Sequence, residues 1–240
     1  HMRRLLGAVL AAGLALPSAA LAQDPPLSGT AFIDPDIITS ADRTTLKSIR
    51  YAGRGKRSMF DRRKDRYVVK NAFLFTAGFS DRLKVEVQVN PEFGSRAKAL
   101  AEARKYATVL GRMPRVLRVA VKELVIHKGK RLFGGGTTHV LIHTGQAAEY
   151  ERDGVLEEII AHEAAHTALD PKHLGSSGWR AAVRADPTFI STYARDNPDR
   201  EDVAESFVPW LALRYRRDRL DPETVTTIEQ TIPNRLAYFD

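Results

Sequence analysis

Residues 155–170 have the sequence VLEEIIAHEAAHTALD. Apolar residues such as Val155 and Ile159 recur along it with helical spacing, which predicts an amphipathic helix with one buried face. His162 and His166 are four positions apart, so they stand one turn apart on the same side of this helix. Two imidazoles in this arrangement can reach a single metal ion.

The pentapeptide HEAAH places Glu163 between the two histidines, angled toward an ion that they would hold. This spacing is typical of zinc peptidases, in which the histidines ligate zinc and the glutamate acts as general base on water. The alternative is a histidine pair in a core helix with no metal. We therefore take His162 and His166 as candidate metal ligands and Glu163 as a candidate catalytic residue.

A catalytic zinc ion takes three protein ligands and keeps one position open. A third histidine ten residues after His162 is absent, because that residue is Lys172. Downstream, Glu201 and Glu205 lie four residues apart in an apolar stretch, where two carboxylates need a cation or hydrogen-bond donors. One can bind zinc while the other accepts a hydrogen bond from a ligand histidine. The alternative is a solvated pair in the first turn of a helix, and the choice between the two glutamates stays open.

The segment HEAAHTALD followed by FISTYARDNPDREDVAESF resembles the gluzincin metallopeptidases, in particular the group around anthrax lethal factor and the Pro-Pro endopeptidases. The resemblance covers residues 155–209, about a quarter of the chain. It implies a zincin-like α+β fold, with a small mixed sheet and an active-site helix that carries the HExxH motif.

The same resemblance implies one Zn²⁺ per chain, held by His162, His166 and Glu201. It also implies that Tyr193 stabilises the oxyanion and that Glu205 supports a ligand; the other interpretation of Tyr193 is a residue packed at the rim of a helix. Independently of the resemblance, Asp170 follows His166 by four residues. It either orients that histidine or helps to end the helix.

The order of the predicted elements indicates the α+β class, because strands and one helix come first and mostly helices follow. We expect one catalytic domain over residues 67–240, preceded by an extended basic leader at residues 23–66. The glycines at 134–136 predict a flexible joint, and residues 138–143 predict an edge strand on which a peptide could pair. The other predicted elements are strands at 67–75, 84–89 and 116–126, and helices at 96–110, 155–169, 187–195 and 199–219, with a last helix after Pro222.

Residues 1–22 have the pattern of a secretory signal peptide behind His1, which we interpret as a tag remnant. Arg3 and Arg4 precede an apolar run that is too short to span a membrane, and an A-x-A site follows at residues 20–22. The sequence thus predicts an exported protein, periplasmic or extracellular, with no stable membrane insertion. The chain has no cysteine, which excludes a disulfide scaffold, a thiolate metal site and a cysteine nucleophile.

The chain has 37 basic and 29 acidic residues, and much of the excess lies in residues 43–66. This basic stretch would either bind an anionic envelope surface or form a solvated face. No aromatic-rich basic motif points to nucleic acid.

The expected function is therefore a secreted zinc-dependent endopeptidase that acts on a peptide or protein substrate. The alternative is a non-catalytic zincin-fold protein that binds zinc or the envelope. Glu163 favours the enzyme, since a structural zinc site needs no base and is closed by four ligands.

Overall fold

The computed structural model describes residues 23–31 and 33–240. The predicted signal peptide at residues 1–22 lies outside the described residues. The strands are β1 (Leu46–Asp61), β2 (Arg66–Phe79), β3 (Lys84–Val89), β4 (Glu123–His127), β5 (Gly134–Gly135) and β6 (His139–His143). The helices are α1 (Arg96–Leu110), α2 (Arg115–Arg118), α3 (Thr144–Arg152), α4 (Leu156–His173), α5 (Ser177–Ala185), α6 (Thr192–Asp196), α7 (Pro198–Tyr215), α8 (Pro222–Thr231) and α9 (Pro233–Phe239).

The strands form one six-stranded sheet in the order β1-β2-β3-β4-β6-β5. β1, β2 and β3 are antiparallel, β3, β4 and β6 are parallel, and β5 is antiparallel to β6. The sheet is therefore mixed, and most of the helices follow it along the chain. The predicted α+β class is confirmed. Among the described residues, no helix combines the length and the apolar character that a membrane span requires.

The expected basic leader is wrong for about its second half, because residues 46–66 form β1, the turn after it and the first residue of β2. Exposed and less exposed side chains alternate along β1, which is the period of a strand. Most of the cations occupy the more exposed positions, and this made the stretch resemble a solvated leader. Some of them are paired: Arg57 donates to Glu86 of β3 at 2.9 Å. The envelope-binding and solvated-face interpretations of this stretch both stay predictions.

The end of the β1–β2 hairpin folds against the far face of the sheet. Met59 and Leu74 of the hairpin are buried against Val125 and Leu141 of the two parallel strands β4 and β6. Burial of such apolar side chains stabilises the fold by about 25 cal/mol for each Å² removed from water. The turn of the hairpin therefore lies beside the loop that precedes β5, where Arg62 donates to the carbonyl oxygen of Phe133.

The principal core lies between the other face of the sheet and the helices α1 and α4. It contains Tyr106 and Leu110 of α1, Ile160 of α4 and Ile142 of β6. Helix α1 begins and ends where the sequence predicts. The N-cap Ser95 accepts a hydrogen bond from a backbone N–H of the first turn, which is the usual way to satisfy such a donor.

Three predictions for the sheet are wrong. The strand expected at 116–126 is divided, since Pro114 opens the short helix α2 and only Glu123–His127 forms β4. The glycines expected to form a joint instead pair as β5 with β6, so β5 and not β6 lies at the edge of the sheet. A Cβ at Gly135 would lie 2.9 Å from the carbonyl oxygen of His139, so only glycine allows this close approach.

Four predictions for the helices also change. Pro171 lies inside α4 rather than at its end, because a proline in the last turn removes only one backbone hydrogen bond. No helix starts at Pro187; α5 ends before it, and the short α6 begins at Thr192 behind the N-cap Ser191. α7 ends at Tyr215, and the chain finishes with two helices rather than one.

Candidate metal centre

Helices α4 and α7 pack side by side and bring three polar atoms to one point. His162 Nε2 and His166 Nε2 lie 3.2 Å and 3.0 Å from Glu201 Oε2, and 3.2 Å from each other. The two histidines come from adjacent turns of α4, and Glu201 comes from the first turn of α7. These three groups, largely buried, could hold a metal ion.

The electrostatics of these three groups favour a positive charge at the point where they meet. Burial opposes ionisation of Glu201, but its contacts with His162 and His166 outweigh burial and hold the pKa of this carboxyl well below its usual range. Burial likewise lowers the pKa of His166, but the bonds to Asp170 and Glu201 outweigh it and raise this pKa to about 10. Two imidazoles and an ionised carboxylate within hydrogen-bond distance thus favour positive charge between them.

Asp170 orients one of the two histidines. His166 Nδ1 lies 2.7 Å from Asp170 Oδ2, one turn further along α4. Nδ1 is the donor in this bond because an ionised carboxylate can only accept. Nε2 is then left to face Glu201, and the ring is fixed in the orientation that a metal ligand needs.

Glu205 lies on the other side of His162. Its Oε2 is 3.4 Å from His162 Nδ1, a contact longer than an ordinary hydrogen bond, whereas Glu201 faces Nε2. The Glu205 carboxylate accepts hydrogen bonds from the hydroxyls of Thr30 and Ser191, each at 2.7 Å. Of the two glutamates, Glu201 therefore meets both imidazoles at the common point, and Glu205 supports His162 from behind.

No pattern in the sequence pointed to Thr30, which is fully buried. Its backbone N–H also points at Glu205, 175 positions away along the chain. The strand-like segment before it is held by α6: the N–H groups of Thr192 and Tyr193 donate to the carbonyls of Leu27 and Ser28. Part of the predicted leader is thus a structural wall of the site.

Tyr193 stands at the rim of the site. Its hydroxyl donates a 2.9 Å hydrogen bond to Glu201 Oε1, and 45% of its surface is exposed. Partial burial, followed by the bond to Glu201, raises its pKa to about 12. The phenol therefore stays neutral at physiological pH and can act as a hydrogen-bond donor.

A cleft of about 710 Å³ opens over these residues. Glu163 is half-buried on α4 and lines the cleft beside His162 and His166. Tyr193 lines it as well, together with the glycines of β5. A carboxyl group, a phenol and three groups that could hold a metal ion thus line one open cleft, and hydrolysis of an acyl bond uses groups of these kinds.

Comparison of the chain with protein-family models, with curated proteins and with solved structures finds no match. The resemblance of residues 155–209 to gluzincins therefore stays a prediction. The function has to be inferred from the residues and distances of the site itself.

Proposed function

We propose that this chain is a zinc-dependent endopeptidase of the gluzincin type with a zincin-like fold. The observation that carries the proposal is the meeting of His162, His166 and Glu201. Tetrahedral zinc with bonds of roughly 2.0–2.1 Å requires ligand atoms about 3.3 Å apart. The three ligand atoms here are 3.0–3.2 Å apart, which fits zinc with a small outward relaxation.

The chemistry of the three donors also favours zinc. Imidazole nitrogens are poor ligands for magnesium and calcium, which prefer oxygen, and suit zinc and other first-row metals. A site of three protein ligands leaves a coordination position open, as catalytic zinc sites do and structural sites do not. His166 has its outer hydrogen bond to Asp170, which is a further mark of a ligand histidine.

The fold is compatible with the zincin type. The motif helix α4 packs against the inner face of β6, and the edge strand β5 runs beside it. An extended peptide lying along β5 would pass over Glu163.

Zinc at this point would supply Lewis acidity, which brings the pKa of water toward neutrality. Glu163 would take the proton of the attacking water and pass it to the leaving amine. Tyr193 would donate a hydrogen bond to the developing oxyanion, an effect typically worth roughly 10²–10³ in rate. Asp170 and Glu205 would hold the two histidines in position.

The location that we propose is outside the cytoplasm, periplasmic or extracellular. This part depends only on the signal-peptide pattern of residues 1–22. The partner is a peptide or protein substrate, and the proposal includes neither nucleic acid nor membrane insertion.

The test is digestion of a mixed peptide library by the purified protein, with and without a chelator. We expect cleavage that the chelator abolishes and added zinc restores. Glu163→Ala should keep its zinc and lose cleavage, whereas Glu157→Ala, a control on the same helix outside the cleft, should keep both. A zinc-loaded chain that cleaves nothing would support the non-catalytic zinc-binding alternative.

A further inference from the structure

The turn of the β1–β2 hairpin brings a cation into the cleft. Arg62 follows the last residue of β1, and its Nη2 donates to the carbonyl oxygen of Phe133 at 3.1 Å. The side chain lies over Gly134, where any Cβ would collide with the guanidinium. Arg62 lines the same cleft as Glu163.

Arg62 differs from the adjacent Arg63 because no carboxylate of the described residues forms an ion pair with it. Arg63 is bound by Asp61 and Glu92, at 2.7 Å and 3.0 Å. The Nε of Arg62 is buried without a hydrogen-bond partner. A partly buried guanidinium without a counter-charge is costly, so an anion that reached it would be bound favourably.

Apolar and aromatic side chains line the cleft that Arg62 enters. Phe133, whose carbonyl oxygen Arg62 binds, packs edge to face on Tyr150 with the ring centroids 5.1 Å apart, and Leu132 and Ile159 also line the cleft. Such a wall suits the aliphatic part of a ligand and offers one charged group to orient it.

Arg62 lies on the Glu163 side of the cleft. Burial raises the pKa of Tyr150 to about 12; the charge of Glu163 adds to this rise and the charge of Arg62 opposes it. The geometry agrees: Arg62 lies over Gly134, and a Cβ on the adjacent Gly135 would lie 3.6 Å from the carbonyl oxygen of Glu163. A ligand held by Arg62 would therefore lie close to Glu163.

We propose that Arg62 anchors a carboxylate subsite, so that the substrate is a peptide with a carboxylate close to the cleaved bond. The inference depends on the proposed peptidase function for its meaning, although binding itself does not require hydrolysis. The planar guanidinium can bind both oxygens of a carboxylate at once. The carboxylate is either an acidic side chain or the C-terminus of the peptide, and the two sources are separated by experiment.

The experiment measures binding to the zinc-loaded Glu163→Gln protein, which holds peptides without turning them over. Three kinds of labelled hexapeptide pool are compared by fluorescence anisotropy. The first has an amidated C-terminus and Glu fixed at each position in turn. The second has Gln in place of that Glu, and the third is the Gln pool with a free C-terminal carboxylate. We expect one carboxylate-bearing pool to bind at least about tenfold more tightly than the amidated Gln pool. The pool that does so identifies the source of the carboxylate.

The ratio of the affinity for the carboxylate-bearing pool to that for the amidated Gln pool should fall to about one in Glu163→Gln/Arg62→Ala. Part of the preference should remain in Glu163→Gln/Arg62→Lys, since lysine keeps the charge without the planar guanidinium. The matched control is Arg66→Ala, which removes an exposed cation of the same hairpin outside the cleft. It should leave the preference unchanged. The ratio between pools is taken within one variant, so a loss of folded protein cancels.

Equal binding of the three pools, or a preference that survives Arg62→Ala, overturns the subsite. Failure of the peptidase proposal gives a different result: the wild-type chain cleaves no peptide, while the carboxylate preference still depends on Arg62. Cleavage without any carboxylate preference would remove the subsite alone.

Discussion

The hydroxyl of Tyr193 donates a 2.9 Å hydrogen bond to Oε1 of Glu201, while Oε2 of the same carboxylate faces both imidazoles. One side chain thereby connects the rim of the cleft to the candidate metal ligand. The short α6 and the start of α7 hold the two residues in this relation, joined at Asn197. Under the proposed function, Tyr193 would steady Glu201 at rest and would donate its hydrogen bond to the substrate oxyanion during the reaction.

Tyr193→Phe should separate these two roles. Loss of the phenol removes the oxyanion donor, so we expect kcat to fall by roughly 10²-fold. Zinc content should stay at one per chain, because all three ligand atoms remain. Steady-state kinetics and metal analysis check this together, and a variant that works at full rate would remove Tyr193 from the reaction.

Asp170→Asn should weaken metal binding by about 10- to 100-fold, because the amide no longer fixes the orientation and basicity of His166. A competition titration of zinc against a chelating dye measures the change. Asp199→Asn is the matched control, since Asp199 also lines the cleft but belongs to no hydrogen bond with a candidate ligand. Equal zinc affinities of the two variants would contradict the role given to Asp170.

Thr30→Val should destabilise the protein by about 1–3 kcal/mol, because the buried Glu205 carboxylate loses one of its two hydroxyl donors. Zinc affinity should fall as well, since Glu205 supports His162. Thr30→Ser keeps the hydroxyl and should restore both properties. Urea unfolding and zinc titration of the two variants measure them, and unchanged values for Thr30→Val would mean that the segment before β1 is not part of the site.

The buried carboxyl of Glu158 should make the free energy of unfolding depend on pH. Burial raises the pKa of this carboxyl to about 7, although the N–H of Ile38 donates to it at 2.8 Å. The unfolded-state pKa is lower, near 4.5. Glu158 therefore favours folding when protonated, and this contribution is lost as pH rises from about 4.5 through 7.

The size of this loss between pH 5 and pH 8 is about 2 kcal/mol in the free energy of unfolding. Glu158→Gln should remove it, because the amide does not ionise. Glu223→Gln, at an exposed position, is the control and should keep the wild-type slope. Urea unfolding of metal-free protein at the two pH values measures the difference, and parallel slopes for wild type and Glu158→Gln would contradict the assignment.

The sequence predicted those parts of the fold whose signal is local. The period of residues 155–170 was enough to predict the helix, and four-residue spacing put His162 and His166 on one face. Glu201 and Glu205 share the same spacing, so their residues alone could not say which one meets the histidines. Only the packing of α7 against α4 distinguishes them.

The parts that could not be predicted depend on contacts between distant residues. Thr30 contacts Glu205, which is 175 positions away along the chain. Arg62 contacts Phe133 from the end of a strand whose many cations made it look like a solvated leader and not like a strand. β5 has only two glycines and therefore no period at all. In each of these cases the structure of the segment depends on the distant residues that it contacts and not on its own sequence.

The central claim is tested most directly by the metal content of the purified chain, measured by inductively coupled plasma mass spectrometry for the wild type and for Glu201→Ala. The three-ligand site predicts about one zinc per wild-type chain and a large loss in Glu201→Ala. A chain that binds no zinc even when the metal is supplied, or a Glu201→Ala variant that keeps it fully, would contradict the site described for His162, His166 and Glu201.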